Sequence, residues 1–184
     1  MSLARSTRFA VRLLAAAALA ALTAGCFQPM YAEHTDGTPG LREKLMGVEV
    51  PPVDKPNASR EARVGVEVRN ALAFKLYGTA TGMAPTHRLV LRFTTSRSSL
   101  IIDPNTGLPN SENYGIDAQY NLIEIVTNKS VMTGTTFARV TYDMPGSYQR
   151  FSRNRALRDA EDRAANEIAQ NINTRLAAFF TAGT

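Results

Sequence analysis

Along residues 86–97, THRLVLRFTTSR, apolar and polar side chains alternate. Leu89, Leu91 and Phe93 fall on one side and Arg88, Val90, Arg92 and Thr94 on the other. A period of two sends successive side chains to opposite faces, so the stretch predicts a strand with one face buried. Residues 114–128, YGIDAQYNLIEIVTN, set Ile116, Ala118, Tyr120 and Leu122 against Asp117, Gln119 and Asn121, and the alternation slips at Ile123. A bulge, or burial on both faces, accounts for such a slip. Residues 130–143, rich in Thr, Val and aromatics, predict a third strand, and the short NKS segment before it predicts a hairpin joining antiparallel neighbours.

On either side the period changes. Within SREARVGVEVRNALAFKLYG, Val64, Val68, Ala71, Leu72 and Leu76 recur at three- and four-residue spacing, which is a helix period; Ser59 stands where an N-cap belongs and Gly78 where a C′ residue belongs. The chain closes with a long amphipathic helix, RNRALRDAEDRAANEIAQNINTRLAAFF, whose stripe is Leu157, Ala160, Ala164, Ile168, Ile172, Leu176 and Phe179. Its charges, among them Arg158, Asp159, Glu161, Asp162, Arg163 and Glu167, are mixed in sign and read for the most part as a solvated face. The apolar sides of Leu89, Leu91 and Phe93 and of this stripe both need cover, and they are expected to meet.

A short strand is expected over Met46–Val50, stopped by Pro51 and Pro52, which cannot donate to a ladder. Residues 27–44 lack periodicity and read as a tether. Residues 103–113, DPNTGLPNSEN, read as a turn-rich exposed loop; Leu108 and Tyr114 stand where a calcium loop would need its glycine and its bidentate acid. The order strand, helix, strand, strand, strand, helix predicts an α+β fold: two helices packed on one face of a mostly antiparallel four-stranded sheet, β-α-β-β-β-α.

The first 25 residues follow a different plan. Arg5, Arg8 and Arg12 precede the apolar or small-residue run from Leu13 to Gly25, too short at about 13 residues for the roughly 20 that span a bilayer as a helix. Directly after Ala24 and Gly25 comes Cys26, the single cysteine of the 184 residues. A lone thiol forms no internal disulfide and builds no metal cluster. Its place after a small-residue junction resembles a bacterial lipobox, in which the cysteine takes a diacylglycerol and becomes the first mature residue. An ordinary secretory signal with an incidental cysteine is the alternative. The expected organisation is a lipoprotein signal peptide over 1–25, a lipidated N-terminus and tether over 26–44, and a single domain over 45–184.

Removing the signal changes the charge argument. The whole chain carries 21 Lys+Arg against 16 Asp+Glu; three arginines leave with residues 1–25, so 18 stand against 16. That near-neutral balance gives no warrant for nucleic-acid binding, which wants a concentrated basic face. The remaining 159 residues suffice for one domain with a core. His34 and His87 read as ordinary polar residues. No Gly-x-Ser-x-Gly, phosphate-cradling loop or metal-ligand cluster occurs, so the residues give no positive evidence for an enzyme and imply no cofactor.

With these elements placed, the chain resembles the LPS-assembly lipoprotein LptE family. The resemblance rests on AGCFQPMY (Ala24 to Tyr31), on the helix and three strands that follow, and on SYQRFSRNRALRDAEDRAANEIAQNINTRLAAFF, similar to the family's serine-tyrosine loop feeding an alanine-rich terminal helix. The resemblance implies a non-catalytic protein held by its N-terminal lipid on the periplasmic side of the outer membrane. It also implies an LptD-like β-barrel partner, within whose lumen the chain would sit as a plug, and lipopolysaccharide as ligand. The accessory lipoprotein of an ABC-type envelope lipid-transport system is the alternative. Arg150, Arg153, Arg155 and Arg158 lie within nine residues with no acid among them. An anionic ligand suits guanidinium forks, and Arg150 and Arg153, expected to precede the helix, are the candidate contacts; a solvated cluster is the competing reading.

If Cys26 is lipidated, intact mass of the protein from membranes should show an N-terminal cysteine carrying acyl additions and no residues 1–25. A mature species with a free Cys26 thiol, or one starting elsewhere, would exclude the lipobox reading.

Overall fold

Residues 39–78, 83–102, 104, 107, 109–144 and 150–182 are described by the computed structural model, with the backbone alone at Ile101 and Arg150. The predicted signal peptide, Cys26 and His34 lie outside the described residues. Seven elements follow in order: α1 (Leu41–Met46), β1 (Val48–Glu49), α2 (Arg60–Tyr77), β2 (His87–Ile102), β3 (Pro109–Glu124), β4 (Lys129–Asp143) and α3 (Arg150–Ala182).

The alternation seen in the sequence becomes a one-sided sheet of order β1-β2-β3-β4. β1 runs parallel to β2, and the other two pairings are antiparallel. Register places Leu89 opposite Leu122, Leu91 opposite Tyr120 and Phe93 opposite Ala118, then Ile116 opposite Ala138 and Tyr114 opposite Val140. All of these are buried. Such cross-strand apolar pairs are the stabilising unit of a sheet face. Gly134 lies opposite Tyr120, whose ring lies across it so closely that any side chain there would displace the ring. The slip at Ile123 is a bulge: the β3–β4 register shifts between Leu122 and Ile123. The hairpin turns through Ile125–Asn128 and closes with Asn128 at φ 52°, a conformation that asparagine tolerates better than most residues.

The helices cover that buried face. In α2, Ser59 Oγ accepts from Ala62 N–H at 3.0 Å, and Gly78, at φ 65°, donates its N–H to Phe74 C=O at 2.7 Å, so both caps stand where the sequence places them. Val64, Val68, Leu72 and Leu76 are buried. Side chains of α2 satisfy outward carbonyls at the start of the edge: Tyr77 Oη donates to Val48 C=O, and Arg69 Nε to Val50 C=O at 2.9 Å. The terminal stripe is buried from Leu157 to Leu176, with Phe179 half-buried beside it. α3 packs on α2, β4 and β3. Phe93 meets α2, its ring edge 3.5 Å from where a Cβ on Gly65 would sit.

Three stretches differ from the sequence reading. α1 begins inside the stretch read as an irregular tether, because Leu41 and Leu45, one helical turn apart, are both buried in the core. The first strand is two residues long, since Gly47 closes α1 and Val50 precedes the two prolines. The loop read over 103–113 is shorter: Asn113, Glu112 and Ser111 pair with Ser98, Ser99 and Ile101, extending the β2–β3 hairpin to Pro109.

One charge on α3 is not solvated. Glu161 is 1% exposed; its Oε2 touches Arg63 Nη2 and its Oε1 lies 3.7 Å from Arg60 Nε, tying α3 to the start of α2. No hydroxyl or amide donor among the described residues reaches the carboxylate.

Two stability outcomes follow in equilibrium unfolding. Phe93→Ala should lower stability by about 3 to 5 kcal/mol, and the exposed Arg92→Ala should change it by less than about 0.5 kcal/mol. Arg63→Ala, which strands the Glu161 carboxylate, should cost about 3 kcal/mol, whereas Glu161→Met removes the charge with its desolvation cost and should leave stability equal or higher.

Candidate functional site

The N-termini of both long helices arrive at the same end of the sheet. Ser59 and Arg60 open α2, and Arg150 opens α3. Beside them finish β2, through Arg97, and β4, through Tyr142 and Met144, while β3 begins there with Glu112. Arg60, Arg97, Glu112, Tyr142, Met144, Arg153, Asn154 and Leu157 line a groove at this end. A second hollow shares Arg60, Asn154 and Leu157 with it and continues past Ser59, Arg63 and Arg158.

The electrostatics of this end are one-sided. The positive ends of two helix dipoles converge on it, and the first turn of α3 contains no acid. Arg60, Arg97, Arg153 and Arg158 face the hollows, together with the acids Glu112 and the buried Glu161. Glu112 Oε2 accepts from Tyr142 Oη. Burial, reinforced by Glu112, pushes the Tyr142 phenol up to about 12, so it stays a donor at neutral pH. Arg153 is half-buried and donates to Met144 Sδ at 3.6 Å, a weak acceptor. Exposed apolar side chains occur on the neighbouring element ends: Leu100 and Ile102 at the end of β2 are 53% and 61% exposed, and Phe151 in the first turn of α3 is 91% exposed.

Of the candidate contacts, Arg153 therefore lines the groove, and Arg150 starts the helix with its side chain outside the described residues. Neither precedes the helix as the sequence reading expected: α3 begins at Arg150, so both sit in its first turn. Arg155 and Arg158 are exposed. Arg60 and Arg97 were missed, because nothing in their local sequence places them beside Arg153. Glu161 carried a signal: it lies four residues after Leu157, four before Ala165 and seven before Ile168, on the helical stripe itself.

At the opposite end, His87 packs. Its Nδ1 is 2.9 Å from Thr86 Oγ1, its ring meets Phe180 edge-on with centroids 5.2 Å apart, and burial lowers its pKa. Among the described residues no three His, Cys, Asp or Glu side chains gather as metal ligands would. No described helix is long and apolar enough to cross a membrane.

Comparison with known proteins adds the family. No curated protein matches the chain. A solved structure from Caulobacter crescentus CB15 superimposes with a TM-score of 0.60 at 21% identity, covering 77% of this chain and 96% of that one, and shares its fold. The minor lipoprotein of Acinetobacter baumannii matches at TM-score 0.47, with 12% identity over 71% of this chain and 88% of its own. Rare lipoprotein B of Shewanella oneidensis matches at 0.43, with 17% identity over 70% and 94%. The family model described as LptE, lipopolysaccharide-assembly, matches residues 45–176, from the end of α1 to the last turns of α3. Covering well over half of the sequence, that match places the chain in the LptE family of lipopolysaccharide-assembly proteins.

Proposed function

We propose that this chain is a lipid-anchored, non-catalytic subunit of lipopolysaccharide assembly at the outer membrane, seated in an LptD-like β-barrel, whose basic end contacts the lipopolysaccharide. The observation that carries the reading is the groove where Arg60, Arg97 and Arg153 meet two helix N-termini, with Leu100, Ile102 and Phe151 exposed on the adjoining ends of β2 and α3. Phosphates suit the guanidinium forks and the helix dipoles, and acyl chains suit the apolar rim.

Two further features favour the arrangement. The chain enters the folded unit at α1, whose Lys44 donates to Phe180 C=O at 3.3 Å, so the tethered end and the basic end lie toward opposite ends of the strands, roughly 35 Å apart. A lipid on Cys26 would then hold one end at the membrane and direct the other away from it. The sheet face that no helix covers carries Thr94, Gln119, Thr133 and Thr135, all exposed, and on β4 also the exposed Val131 and Phe137, a largely polar surface with an apolar strip of the kind that can meet the interior of a wide barrel.

Purified lipopolysaccharide titrated against the parent and against Arg150→Glu/Arg153→Glu tests the ligand. A lost charge-assisted contact is worth about 1.5 to 3 kcal/mol, so affinity should fall by about tenfold or more and its salt dependence should flatten. The new acids lie in the first turn of α3, where they favour the dipole, so melting temperature and barrel co-purification should hold. Equal binding by parent and variant at low and high salt would move the contact elsewhere. Failure of the parent to co-purify with a large β-barrel from detergent-solubilised membranes would remove the plug role.

A further inference from the structure

Glu161 is an expensive choice at its position. Leu157, Ala160, Ala164 and Ala165 around it are all buried, so an apolar side chain would suit the site, and a carboxylate there must be desolvated. Its two arginines are engaged unequally. Arg63 touches Glu161 directly and reaches Asp162 at 3.7 Å, which occupies it. Arg60 Nε lies 3.7 Å from Glu161 Oε1, an ion-pair distance longer than a hydrogen bond, and its side chain is 47% exposed. Arg60 also lines both hollows of the basic end, between Ser59 and Asn154.

We propose that Glu161 is a positioning residue for the basic groove: from the core side it holds Arg60 by its Nε edge and thereby presents the two terminal nitrogens of that guanidinium to an incoming anionic headgroup, beside Arg97 and Arg153. An arginine already held in place loses less freedom on binding than one that must be ordered by the ligand. Arg63 serves as counter-charge, which leaves the carboxylate's local charge balanced while Arg60 remains available. The inference rests on the reading of this groove as the lipopolysaccharide-contacting surface.

The sign of one substitution separates positioning from simple electrostatics. Glu161→Met and Glu161→Gln each remove a negative charge near the groove, so charge alone would tighten the binding of an anion. Positioning requires the opposite: affinity for purified lipopolysaccharide should fall by about 3- to 10-fold in both variants, a coupling of the size seen between contacting residues. Arg60→Ala should cause a similar fall, and Glu161→Met in the Arg60→Ala background should cause no further one. Melting curves on the same samples identify any variant that has not folded, and Glu161→Met is the one expected to retain full stability. Unchanged or tighter binding by folded Glu161→Met, or losses that add in the double variant, would overturn the assignment of Glu161 while leaving the groove in place. If Arg60→Ala and Arg153→Glu themselves leave lipopolysaccharide binding unchanged, the groove reading falls and Glu161 with it.

Discussion

The fold is governed by the need to cover one apolar face of a long, narrow sheet. β2, β3 and β4 run for 15 or 16 residues, roughly 50 Å, and each turns its alternate apolar residues to the same side. A surface of that length cannot be closed by an average helix of three turns. α3, at 33 residues, is also roughly 50 Å long, and it runs back along β4: Arg163 Nη2 donates to Thr141 C=O, Asn171 Nδ2 to Phe137 C=O, and Phe180 arrives at His87. Alanines at 160, 164, 165 and 169 keep its inner face thin enough to lie close to its neighbours. α2 fills what α3 leaves, over β1 and the near part of β2.

From that constraint comes a molecule with two different ends. The connections from β1 to α2 and from β4 to α3 start both long helices at the same end, so both positive dipole ends point there, and the charges on the first turns join Arg97 at the end of its strand. The other end collects α1, the short parallel pairing of β1 with β2, and the aromatic contact of Phe180 with His87. The described chain therefore begins at the end that is apolar inside and hydrogen-bonded at its margin. Its cations lie at the far end.

The regular parts of this architecture were legible because periodicity reports burial directly. Leu89, Leu91 and Phe93 declare a face, Val64 to Leu76 declare a stripe, and the irregularity at Ile123 declares a bulge, each without knowledge of any partner. α1 escaped because six residues hold too few turns for a period to emerge, and its two leucines matter only in the presence of the core. The extension of β2 and β3 through Ser98, Asn113 and Glu112 escaped because consecutive polar residues on both strands there break the two-residue alternation that marks a face. The groove was the least legible feature. Arg60, Arg97 and Arg153 are separated by tens of residues, and only the lengths of the intervening elements bring them to one end.

The buried carboxylate differs in kind from the other ion pairs. Arg88 with Glu49, Arg139 with Asp117 and Arg163 with Asp159 are largely solvated, and pairs of that sort contribute little beyond about 1 kcal/mol. Glu161 pairs across the α2–α3 contact with Arg60 and Arg63 and lies on the same helix as Arg153 and Arg158. Two converging dipoles and several guanidiniums repel one another, and water screens only the exposed side of that repulsion. Glu161 does not serve stability on that account: an apolar residue would fill the same place on the stripe without the desolvation cost, and what the carboxylate adds is a fixed negative charge beside two of the arginines at the helix starts.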